Sequence, residues 1–111
     1  MKFAKSLILG LGFCAILPLP YSRAQSDRKD VSAGKDVFEA QCSSCHNTDS
    51  TEAKDGPGLK GVKNGKLPSG ASATHDAILE IIDKGRDTMP SFKESLTGRQ
   101  KENVVAYVLT L

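Results

Sequence analysis

The sequence predicts an all-α fold with three main helices. Two observations predict it: apolar residues recur at helical spacing in three separate stretches, each with its own cap or stop residue, and no stretch alternates as a strand would. The first helix is expected to start near Ser32 as N-cap and to carry Gly34, Phe38, Gln41, Cys42 and Cys45 down one face at i, i+4, i+7, i+8 and i+11. The second runs from about Thr74 to Lys84, with Ile78, Leu79, Ile81 and Ile82 as its apolar side and Gly85 as its stop. The third is the clearest. Thr97-Gly98-Arg99-Gln100 fits a capping box, and Val104, Tyr107, Val108 and Leu111 follow at i, i+3, i+4 and i+7. Between the first two helices, Lys54 to Ala73 is rich in Gly, Lys and Ser and reads as loop with room for one helical turn.

The chain has 111 residues, 39% of them hydrophobic and 25% charged, which suits one small domain and excludes a multidomain enzyme or a disordered chain. No internal repeat is visible. Residues 1–24 read as a secretory signal peptide that is cleaved: Lys2 and Lys5 begin it, an apolar run covers Leu7 to Leu17, and Ser22-Arg23-Ala24 ends it. An uncleaved anchor is the competing reading. The run is too short to span a bilayer, and Pro18 and Pro20 break the helix where a stop-transfer segment would continue. Lipidation at Cys14 fits less well, because Phe13 stands where a lipoprotein signal has a small residue. Residues 25–111 then form a single domain, exported or periplasmic and with no stable membrane insertion after cleavage.

Removing Lys2, Lys5 and Arg23 leaves 12 basic residues against 13 acidic ones, so the mature domain is near neutral. Nothing in that balance attracts nucleic acid or an anionic membrane. A disulfide between Cys42 and Cys45 encloses too little chain to stabilise an 87-residue domain whose apolar core is marginal. Some further apolar surface is therefore expected.

The chemistry is concentrated in Cys42-Ser43-Ser44-Cys45-His46, the C-x-x-C-H pattern of c-type haem attachment. On one helical turn, thiols three residues apart point to one side and reach the two vinyl groups of a porphyrin, while His46 lies on the same face and can reach the iron. A thioredoxin-like redox pair and half of a zinc site are the alternatives. The first wants a βαβ context that is not found, and the second wants ligands the chain does not supply.

The chain resembles the small single-haem class I cytochromes c over nearly all of residues 32–111. The likeness rests on the attachment motif, on Gly34, Phe38 and Cys42 spaced by four, on Gly56-Pro57-Gly58-Leu59, on Gly85-Arg86 and Met89-Pro90-Ser91-Phe92, and on Val104 and Tyr107. The resemblance implies a cytochrome c-like fold around one covalently attached haem c, with Gly34 at a close crossing of the first and last helices. It implies that the Pro57 carbonyl accepts the second N–H of His46, fixing its tautomer. It also implies Met89 as the sixth ligand, although a lone methionine otherwise reads as core filling. His75 is the competitor, and its bland reading is a solvent-facing residue near an N-cap.

His46 and Met89 are thus the expected metal ligands, and Cys42, Cys45, Pro57, Leu59, Arg86 and Phe92 the cofactor-binding residues. Leu79 and Ile82 are further lining candidates. Arg86 either pairs with a haem propionate or faces solvent. His/Met ligation raises the reduction potential and leaves no open position on iron, which points to electron transfer rather than catalysis. The expected protein is a monomeric one-electron carrier shuttling between respiratory-type redox partners such as an oxidase, reductase or dehydrogenase. A dedicated haem subunit, and a catalytic or sensing haem protein with a displaceable sixth ligand, are the alternatives. Lys60, Lys63 and Lys66 lie in an acid-free stretch from Gly56 to His75 and read either as a basic patch for an acidic partner or as solvated surface.

Overall fold

Helix α1 spans Val31–Gln41, α2 His75–Lys84 and α3 Gly98–Val108, with one 3-10 turn at Val62–Asn64. The structure is a computed structural model that describes Gly12 and residues 29–111. Apart from Gly12, the expected signal peptide lies outside the described residues. Within them no strand forms, and no helix is long and apolar enough to cross a membrane.

The start of α1 corrects one expectation. Asp30, not Ser32, is the N-cap: its carboxylate accepts from the Ala33 N–H at 3.0 Å, while its own N–H donates to Asn103 Oδ1 at 2.9 Å. A carboxylate at a helix N-terminus also meets the positive end of the macrodipole, and the tie to α3 is a tertiary contact that local sequence does not reveal. The end of α1 corrects a second. The helix stops at Gln41, because the N–H groups of both Cys42 and Ser43 converge on the Phe38 carbonyl at 2.8 and 2.9 Å. Sharing one acceptor breaks the i to i−4 register, so Cys42 to Cys45 forms a turn after the helix rather than its last turn.

α1 crosses α3 at Gly34, where a Cβ would run into the Asn103 carbonyl oxygen and stand 3.0 Å from the Tyr107 Cβ. One helical turn on, the Phe38 and Tyr107 rings meet edge to face with centroids 5.4 Å apart. The core continues through Val62, Ile78, Ile82, Leu96, Val104, Val105 and Val108. α2 packs against α3 less extensively than α1 does. Thr74 caps α2 through the Ala77 N–H, and Gly85 ends it at φ 70°. The capping box of α3 is present: Thr97 accepts from the Gln100 N–H at 3.2 Å, and the Gln100 side chain accepts from the Thr97 N–H at 2.9 Å.

His75 is the third correction. It is the first residue of α2 and only half-exposed, with Nε2 2.7 Å from Glu102 on α3 and Nδ1 2.9 Å from Asp76. It ties two helices together instead of facing solvent.

Candidate functional site

The site is built outward from the turn that follows α1. The N–H groups of Cys45 and His46 both donate to the Cys42 carbonyl, at 3.1 and 3.0 Å, which winds the two thiols and the imidazole into one turn. Both cysteines are free thiols and half-buried. Burial, and then Cys45 beside it, pushes the Cys42 thiol up to about 11. A reactive redox cysteine has a lowered pKa, so a thioredoxin-type role does not fit this thiol.

The segment from His46 to Leu59 folds back on that turn. Gly56 donates to the Cys45 carbonyl at 2.9 Å and Leu59 to the Asn47 carbonyl at 2.8 Å, which delivers the Pro57 carbonyl oxygen to 2.8 Å from His46 Nδ1. A carbonyl only accepts, so Nδ1 carries the proton and Nε2 keeps its lone pair for a metal. Gly56 is required here because a Cβ would stand 2.6 Å from the His46 Cε1.

Opposite in sequence, the segment after α2 is a tight excursion. Gly85 has no room for a side chain, since a Cβ would meet the Met89 carbonyl oxygen. Arg86 and Met89 then exchange backbone hydrogen bonds of 3.1 and 2.8 Å across Asp87, which occupies the left-handed region at φ 51°. Met89 is half-buried and packs against the core, as do Leu59, Leu79 and Phe92. Ile82, expected beside them as lining, is buried in the core at 7% exposure. Arg86 is exposed and borders an open groove of about 210 Å³ with Leu67, Ala77 and Ile81.

Comparison with known proteins fixes the family. A family model described as cytochrome c oxidase, cbb3-type, subunit III matches residues 29–108, and the chain is 36% identical over 110 residues to cytochrome c6 of Rippkaea orientalis, covering 98% of this chain and 93% of that protein. The chain belongs to the cytochrome c family. Cytochrome c6 of Leptolyngbya boryana is 34% identical over 80 residues, covering 72% of this chain and 91% of that one. Among solved structures, cytochrome c6 from the diatom Phaeodactylum tricornutum matches with a TM-score of 0.60 at 30% identity, covering 73% of this chain and 92% of that chain. A cytochrome c carries one haem c on a single-haem chain, attached covalently, and works as an electron carrier, not an enzyme.

The residues present suit that group. Two free thiols stand on one turn with a histidine whose Nδ1 is held by the Pro57 carbonyl, which leaves Nε2 for a metal, and Gly56 leaves the imidazole room. Leu59, Leu79, Met89 and Phe92 are apolar side chains that the protein alone leaves half-covered, as a porphyrin face requires. Sequence reasoning missed Lys101, which the methionine segment leans on. The signal was its position seven residues before Val108 on the apolar stripe of α3, where a charge is out of place.

Proposed function

We propose that this cytochrome c is an exported, monomeric one-electron carrier whose haem is held by thioether bonds from Cys42 and Cys45 and ligated by His46 and Met89. The observation that carries the reading is the His46 to Pro57 hydrogen bond on the same turn as two free thiols. When bound, the haem supplies a one-electron iron couple. The chain's own residues do the rest. Pro57 holds His46 in the tautomer that offers Nε2, and Met89 offers a thioether, which favours the reduced state. Leu59 and Phe92 exclude water from the ring faces, and Arg86 neutralises a propionate. Packing on both sides keeps the ligands in place during electron gain and loss.

Ser44, Asp55 and Pro57 are exposed, so the edge of the protein near the attachment turn is open to a partner. Lys60, Lys63 and Lys66 are all exposed as well and supply a positive patch for an acidic docking face on a respiratory-type oxidase, reductase or dehydrogenase. The leader of residues 1–24 would direct export to the periplasm. Relatives from Rippkaea orientalis and Nostoc sp. each align over 98% of the chain, which extends into that leader.

Ferrous protein is expected to bind carbon monoxide poorly, and Met89→Ala is expected to open the site to it. Ready binding by the unmodified protein favours the catalytic or sensing alternative. The oxidase-subunit description of the matching family keeps the dedicated-subunit reading in view. Salt-sensitive transient association marks a carrier, and stable co-purification with one complex marks a subunit.

A further inference from the structure

Lys101 is a lysine on a core-facing register of α3, and its side chain is only 14% exposed. Its ammonium donates to Asp83 Oδ1 at 2.7 Å and to the Lys93 carbonyl at 3.2 Å. Those two acceptors flank the methionine segment: Asp83 lies in the last turn of α2, before Gly85, and Lys93 lies four residues after Met89. The segment is otherwise fastened back to α2. The Phe92 N–H donates to the Ile82 carbonyl at 2.8 Å, and the Ser91 hydroxyl donates to the Asp83 carbonyl. Tying a loop to the frayable end of its own preceding helix leaves both free to move together. Lys101 adds what those bonds lack, a cation on a different helix that grips both ends of the excursion.

We propose that Lys101, paired with Asp83, is a positioning residue that seats the Met89 thioether and sets how often it leaves the metal. This rests on the assignment of Met89 as ligand. Most of the Lys101 side chain is covered, and without Asp83 its ammonium keeps only the Lys93 carbonyl as partner, while without Lys101 the two ends of the excursion lose their shared tie to α3. The opening equilibrium of the Gly85–Leu96 segment shifts while the α1–α3 crossing stays as it was.

The test uses ferric holoprotein and imidazole as a competing ligand, because apparent imidazole affinity is multiplied by the fraction of molecules with the sulfur detached. Lys101→Met and Asp83→Asn are each expected to raise that affinity roughly tenfold, the scale of a lost charged hydrogen bond. The double variant is expected to fall short of the product of the two. Exchange of the Phe92 N–H is expected to quicken in parallel. Glu102→Gln, which removes the charge from the His75 tie on the same helix, serves as the comparison at matched loss of global stability and is expected to leave imidazole affinity unchanged. Should Lys101→Met fail to fold, Asp83→Asn alone decides. Unchanged imidazole affinity in the variants, or an equal rise in Glu102→Gln, overturns the proposal while leaving Met89 as ligand. Absence of a methionine-to-iron charge-transfer band in the unmodified ferric protein overturns the ligand assignment, and the clamp with it.

Discussion

At Gly34 a single hydrogen atom decides whether two helices can meet. Alanine in an exposed helix interior normally stabilises by about 1 kcal/mol relative to glycine. Here the added methyl would collide with the Asn103 backbone, so Gly34→Ala is expected to cost about 3 kcal/mol by overpacking, read as a lower denaturation midpoint. The role of Gly34 was legible from its spacing to Phe38 and Cys42 only because the family resemblance gave that spacing a meaning. Lys101 and Asp83 show the opposite case. A lysine on an apolar stripe announces that something unusual happens there, but its two acceptors lie 18 and 8 residues away on other segments, and only the fold brings them in.

The helices differ in how much of their stability is local. α3 carries a complete capping box written in four consecutive residues, and Thr97→Ala is expected to cost about 1 kcal/mol in thermal unfolding. All three helices were visible as periodic stretches, and their stop and start signals at Gly85 and Thr97 held. The start of α1 was misplaced because Asp30 gains from Asn103, 73 residues on, what Ser32 cannot. α2 depends on a titrating partner at its first residue. Hydrogen bonds to Asp76 and then Glu102 raise the His75 pKa above its ordinary 6.5. A group whose folded pKa is raised stabilises fully below the unfolded value, and the contribution is lost as pH rises through the folded value. Burial, and then Lys29 at 3.8 Å from Glu102, work against the shift. Thermal stability is therefore expected to fall from mildly acidic pH to above neutrality, and His75→Asn is expected to flatten that slope.

For the whole molecule, the core that the described residues bury is small: one phenylalanine with aliphatic side chains from three short helices and two loops. Domains of this size sit near the margin at which a core alone suffices. The half-buried Leu59, Leu79, Met89 and Phe92 are surface the chain alone does not cover, so haem burial is expected to be part of folding. Replacing both Cys42 and Cys45 by alanine should yield protein without cooperative thermal unfolding, and retention of a sharp transition would separate folding from attachment. The turn proposed for attachment is legible as a candidate because its pattern is confined to five residues, Cys42 to His46. The clamp beyond Met89 was not, because it is assembled from α2, α3 and the loop between them.

The most direct test is the visible spectrum of protein matured in a periplasm competent for c-type haem attachment. The oxidised form should show covalently retained pigment and a charge-transfer band in the red that disappears in Met89→Ala. Colourless protein, or coloured protein lacking that band, would contradict the assignment of Cys42, Cys45, His46 and Met89 to one closed haem site.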